Sequence, residues 1–160
     1  MNCEAKMVTR LGGEVVCLTA GGYEALLAPQ AGCNCFDLTH LETGAHLLRT
    51  PESVQALVEN PNVYGTPLLF PPNRIKDGTY TFNGRTYRLP INENHGHHMH
   101  GFISCTRFDV EALEAGEDWA GARFVFRSTR EKPYLEEFPH QFTIRVTVYS
   151  AIFVKMSFSL

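Results

Sequence analysis

The 160-residue sequence has no large surplus of charge of either sign, no long apolar run and few helical signals. Its 14 lysines and arginines are scattered, and the formal net charge is only -3. No block of like charge exists to follow a phosphate backbone or an anionic lipid surface, so neither nucleic acid nor a membrane is an expected partner. No apolar stretch approaches the roughly 20 residues of a bilayer-spanning helix. Internal repeats, low-complexity tracts and linkers are lacking as well. Cysteine is sparse and odd in number: Cys3, Cys17, Cys33, Cys35 and Cys105. The first residues show no basic region leading into an apolar one, so free thiols in a reducing, cytoplasmic setting are expected. Cys33-Asn34-Cys35 lacks the second close pair of a zinc ribbon. At strand spacing its two thiols face one side, as small apolar core residues would.

What is present reads as β-structure almost throughout. At 44% hydrophobic residues the chain can bury one ordinary core, so residues 1–160 are expected to form a single domain. Glu14 to Thr19 is a strand candidate, and Gly21-Gly22 turns it into Tyr23 to Ala28. Pro29-Gln30-Ala31-Gly32 breaks the pattern before a third strand from Cys33 to Leu41, which Thr43-Gly44 turns again. Pro51 to Glu59 alone resembles a helix, with Pro51 at its first position beneath a Thr50 cap and Val54, Leu57 and Val58 at helical spacing. Thr79 to Phe82 and Arg85 to Leu89 form the clearest hairpin, because Asn83-Gly84 favours the positive φ angles of a two-residue turn.

Further strands are expected at Arg107 to Leu113, Arg123 to Ser128 and Phe142 to Tyr149. The last alternates cleanly, with Phe142, Ile144, Val146 and Val148 on one face. The expected architecture is an all-β antiparallel sandwich. The end fits less well. From Phe142 to Leu160 no turn residue intervenes, and one strand of that length would far exceed the usual 5 or 6 residues. An interrupted reading frame is the expectation that follows.

The richest stretch lies between Gly65 and Phe102. A proline-bounded apolar run, Gly65 to Pro72, delivers Asn73-Arg74-Ile75; Asp77-Gly78 opens the hairpin; and His95-Gly96-His97-His98-Met99-His100-Gly101-Phe102 closes the stretch. Planar hydrogen-bonding groups of this kind suit a small polyhydroxylated ligand. Together with Leu27 to Gly32, Tyr64 to Pro67 and Glu137 to Phe142, these pieces resemble the aldose 1-epimerase (galactose mutarotase-like) family, in particular its bacterial branch. The resemblance runs from about Gly21 to Tyr149 and covers roughly the first half of that family's antiparallel β-supersandwich.

The resemblance implies an isomerase that interconverts the α and β anomers of a hexose such as glucose or galactose. An acid protonates the ring oxygen while a base takes the C1 hydroxyl proton, and no metal or organic cofactor is required. The family's sugar-binding roles fall on Asn73, Arg74 and His100, and His100 also takes the catalytic role. Its second histidine, aspartate and glutamate base would lie beyond Leu160. The chain is therefore expected to be a truncated sandwich with part of the catalytic set missing, and its uncovered sheet invites self-association. His140 sits in Phe138-Pro139-His140, a different place in the pattern from the second histidine.

Each residue also has a plainer reading. Arg74 could pair on the surface with Asp77 or Glu93. His95, His97 and His98 read as a solvated loop, and Asp37, Glu42 and Glu93 as solvated turn and strand residues. Trp119, between Gly116 and Gly121, reads as a hairpin tip. Two alternatives from other classes stand beside the isomerase: a non-catalytic carbohydrate-binding fragment, and a divalent metal site on His95, His97, His98 and His100, in which His98 and His100 share a strand face.

Overall fold

The computed structural model describes residues 2–129, 140–149 and 153–159. Among the described residues thirteen strands carry the architecture, the first nine being β1 (Glu4–Arg10), β2 (Gly13–Ala20), β3 (Tyr23–Ala28), β4 (Asn34–His40), β5 (Ala45–His46), β6 (Arg74–Ile75), β7 (Thr79–Phe82), β8 (Arg85–Arg88) and β9 (His98–Met99). The remaining four are β10 (Asp109–Ala115), β11 (Ala120–Ser128), β12 (Phe142–Tyr149) and β13 (Phe153–Ser159), and one α-helix, α1, spans Val54–Glu59. Strands β1 to β5 form one antiparallel sheet in sequence order, and β10 to β13 form a second. Strands β7 and β8 pair as the expected hairpin, with Phe82 opposite Arg85 and positive φ at both Asn83 and Gly84.

The two sheets share a core. Val16, Leu18, Ala25 and Leu27 of the first meet Phe124, Phe126, Ile144, Val146 and Val148 of the second, all buried. The opposite face of the first sheet is covered too. Val15, Cys17, Leu26 and Phe36 pack against Val54 and Leu57 of α1. This explains why Val15-Val16-Cys17-Leu18 is buried without alternation: both faces of β2 are closed to water. In β12, by contrast, the expected period of 2 holds, with Phe142, Ile144, Val146 and Val148 buried and their neighbours half-buried. Cys33 and Cys35 are buried in the shared core as small apolar residues, although Cys33 precedes β4 with φ 50° and is not at strand spacing from Cys35.

Three details differ from the sequence reading. Strand β1 was not anticipated; it pairs with β2 through the Leu11-Gly12 turn and is mostly exposed. The helix starts later, at Val54. Its cap is Ser53, whose Oγ accepts the Ala56 N–H at 3.0 Å, while the Thr50 hydroxyl donates instead to Asp37 Oδ1 at 2.9 Å. The end of the chain is two strands rather than one: β12 and β13 pair antiparallel with Tyr149 opposite Phe153. The residues between them lie outside the described set, as do Glu137 to Pro139 of the family-like pattern.

The segment that leads to the candidate site is pinned at both ends. Thr66 bridges Cys35 of β4, and its N–H donates to the Asn34 side chain at 2.8 Å. Asn34 is fully buried, and its Nδ2 donates to the carbonyls of Pro61 and Tyr64 at 3.2 and 3.1 Å. Four residues on, Phe70 bridges Gly101 and rests its ring on Phe142, 5.7 Å between centroids. Pro71 and Pro72 then carry the chain out to Asn73.

Candidate functional site

Asn73, Arg74 and His100 come together where β6 meets β9. Arg74 stands opposite Met99 and Ile75 opposite His98. Just beyond this short ladder, Asn73 and His100 bond to each other twice. The His100 N–H donates to the Asn73 carbonyl at 2.9 Å, and the Asn73 N–H donates to His100 Nδ1 at 3.2 Å. Both residues hold positive φ, 64° and 62°, in the small left-handed region that asparagine and histidine enter more readily than most residues. Because Nδ1 accepts, the ring proton of the neutral imidazole sits on Nε2. His100 thus presents an N–H donor at its free end. The Asn73 side-chain oxygen accepts the Arg74 N–H at 2.8 Å, which leaves the amide nitrogen of Asn73 to donate elsewhere.

The loop before β9 is tied down by side chains rather than by a strand ladder. Asn92 clamps Met99 from both sides: its Nδ2 donates to the Met99 carbonyl at 2.9 Å and its Oδ1 accepts the Met99 N–H at 2.6 Å. Glu93 accepts the N–H groups of His95 and His97 at 3.1 and 3.0 Å. Its side chain is 7% exposed and lies 3.9 Å from Arg74 Nε. Burial is the largest single influence on the Glu93 carboxyl and pushes its pKa up. The two backbone donors, with the charges of His95 and Arg74, together outweigh burial and hold it below the ordinary 4.5.

Glu93 is therefore no solvated turn residue, and the plainer reading of Arg74 as its surface partner is met only at ion-pair distance. Asp37 needs the same correction. It is 6% exposed, lies 2.7 Å from His46 Nδ1 and accepts the hydroxyls of Thr50 and Thr39. The hairpin register held that signal, since a turn at Thr43-Gly44 sets His46 opposite Thr39, on the face that Asp37 shares.

The four histidines go separate ways. His98 is fully buried, not part of a solvated loop, and its Nδ1 donates to the Pro90 carbonyl at 2.7 Å. His97 Nδ1 accepts the Asp77 N–H at 3.2 Å, while His95 is exposed. The positive φ of His100 breaks strand alternation, so His98 and His100 do not share a face as a metal pair would. Among the described residues no group of three or more His, Cys, Asp or Glu side chains converges as a metal site. Trp119 does lie at a hairpin tip, between β10 and β11, with its ring against Tyr149 at 5.7 Å. His140 stands just before β12, with its ring 5.5 Å from Tyr87 of the hairpin.

Chemically, the arrangement offers an imidazole N–H, an amide N–H₂ and a guanidinium on adjoining backbone positions. These are neutral and cationic donors of fixed orientation, suited to ring and hydroxyl oxygens. No helix among the described residues is long and apolar enough to cross a membrane.

Known proteins share the sequence pattern and the fold. A family model described as aldose 1-epimerase matches residues 14–149. The uncharacterized protein YihR of Escherichia coli K12 is 34% identical over 107 residues, 64% of this chain and 32% of its own. The crystal structure of a galactose mutarotase-like protein from Clostridium acetobutylicum superposes with a TM-score of 0.87 at 33% identity, covering 98% of this chain and 48% of that one. Galactose 1-epimerase from Lactobacillus acidophilus shares the fold, with a TM-score of 0.70 at 12% identity over 91% of this chain and 44% of its own. The chain spans about a third of YihR and about half of each solved structure. Since the family pattern runs from β2 through β12, over a sandwich shared almost in full with the Clostridium structure, the chain belongs to the aldose 1-epimerase family.

Proposed function

We propose that this chain carries the sugar-holding half of a hexose mutarotase, with Asn73, Arg74 and His100 as the groups that grip the substrate. The observation that carries the reading is the double hydrogen bond between Asn73 and His100, which fixes the imidazole with Nε2–H outward. A ring oxygen set against that N–H would receive a hydrogen bond in the closed sugar, and that bond would strengthen as negative charge develops on the oxygen when the C1–O5 bond opens. Arg74, with Asn73 Nδ2, would hold neighbouring hydroxyls so that the aldehyde recloses on either face rather than diffusing away.

The base that takes the C1 hydroxyl proton is assigned to the part of the family fold that lies outside the matched half. A hydrogen bond to the ring oxygen, without a base at the C1 hydroxyl, leaves most of the barrier standing, so these 160 residues are expected to bind hexose but to accelerate mutarotation weakly or not at all. The unpaired state of all five cysteines suits a reducing cytoplasm. Self-association belongs to the same reading, because β13 stands at a sheet edge among the described residues and an apolar cavity of about 250 Å³ opens between Cys35 and Val146.

Polarimetry on freshly dissolved α-glucose and α-galactose tests the reading. A rate typical of efficient enzymes, lost in His100→Ala, would mean that groups within this chain complete the acid–base pair. No binding of either sugar would remove the proposal.

A further inference from the structure

We infer that Glu93 is a positioning residue for Arg74, joining the histidine loop to the guanidinium that meets the ligand; the inference rests on the sugar-holding reading above. Glu93 Oε2 serves two partners at once. It accepts the His95 N–H at 3.1 Å and faces Arg74 Nε at 3.9 Å, while Oε1 accepts the His97 N–H at 3.0 Å. A carboxylate gripped by two backbone donors of its own loop has little freedom left, which is why its side chain is only 7% exposed.

Arg74, by contrast, is half-exposed and long, and would otherwise range over many rotamers. Glu93 faces Nε, the inner edge of the guanidinium, so this pairing does not use the outer two nitrogens. An arginine oriented beforehand loses less freedom when the sugar binds.

The charged and titratable groups facing the carboxylate are Arg74 from β6 and His95 and His97 from its own loop, with Asp77 beyond His97. Lowering the pH therefore protonates Glu93 only below the ordinary glutamate range. The pairing is complete above pH about 4.5 and is lost as pH falls through the lower folded value.

Two measurements test this. In the wild-type chain, the Arg74 Nε–Hε signal is followed by NMR through the acid titration of the Glu93 carboxyl. The account expects both to move together, with a midpoint below 4.5. An Arg74 signal that ignores the Glu93 titration overturns the inference, whether or not the chain binds sugar. The second measurement is a double-mutant cycle on galactose affinity with Glu93→Gln and Arg74→Gln. Loss of an oriented ion pair is expected to weaken binding by about threefold in the Glu93→Gln chain and to add nothing in the Arg74→Gln background. Equal losses in both backgrounds would make Glu93 a merely structural residue and overturn the inference. Absence of galactose binding by the wild type would instead count against the sugar-holding reading, with the NMR result still deciding the role of Glu93.

Discussion

Replacing Gly65 by alanine tests how the segment that delivers Asn73 is held. Gly65 has φ +57°, and a Cβ there would run into the Cys35 carbonyl and the Asn34 side-chain oxygen and lie 2.6 Å from Phe36 Cα. Two of these three neighbours are backbone of β4, buried between the second sheet and α1, and cannot step aside cheaply. The left-handed backbone costs an alanine about 1–2 kcal/mol. Forcing a methyl into filled space adds about 1–3 kcal/mol. Moving Asn34 off Thr66 and its two carbonyl partners would leave buried polar groups unpaired, at about 1–3 kcal/mol.

The expected loss is thus roughly 4 kcal/mol, a large part of the ~5–15 kcal/mol that folded domains possess. Gly84→Ala is the control. Gly84 has a similar positive φ, +74°, with nothing within 4 Å of a new Cβ, so only the backbone cost of about 1 kcal/mol applies. Urea unfolding followed by the single tryptophan, Trp119, measures both. If Gly65→Ala costs no more than Gly84→Ala, the close approach of Gly65 to β4 is not what holds this segment.

Three further outcomes are expected. Native protein treated with iodoacetamide at mildly alkaline pH should be modified first at exposed Cys105. Cys17 and Cys35 should be spared until the chain unfolds, because burial pushes their thiols up to about 11 and about 12, and burial raises Cys33 further still; rapid labelling of these three would contradict the burial of both faces of the first sheet. Ser53→Ala should cost about 1 kcal/mol in urea, by removing the acceptor of the Ala56 N–H, whereas a cap at Thr50 would leave stability unchanged. Acid titration should release the amides of His95 and His97 to hydrogen exchange only below pH about 4.5, since a carboxyl of lowered pKa keeps its contribution above its ordinary value and loses it on protonation; release near neutrality would mean that Glu93 is not their anchor.

Much of the sandwich was legible because its signals are local. Strand β3 and the hairpin of β7 and β8 are framed by glycine turns, and β12 alternates with period 2. Strand β1 was missed because an exposed edge strand needs no apolar face; its structure comes from pairing with β2. The reversal between β12 and β13 was missed because no Gly, Pro, Asn or Asp lies between Tyr149 and Phe153.

At the candidate site, Asn73, Arg74 and His100 were picked out by family resemblance, and their proximity by no periodicity at all. Glu93, Asp37 and His98 escaped because a polar residue is read as solvated until its partners are known. Their partners are backbone groups and residues reached through hairpin registers, which leave no regular trace in sequence.

The central claim is that Asn73, Arg74 and His100 form one sugar-binding surface. The most direct test is a titration of the isotope-labelled chain with galactose and glucose, read from backbone amide and histidine ring signals in the wild type and in His100→Ala. The account expects shifts clustered at residues 73–75 and 98–101, movement of the His100 Nε2–H signal, and loss of both in His100→Ala. An unchanged spectrum at saturating millimolar sugar, or shifts that persist in His100→Ala, would contradict it.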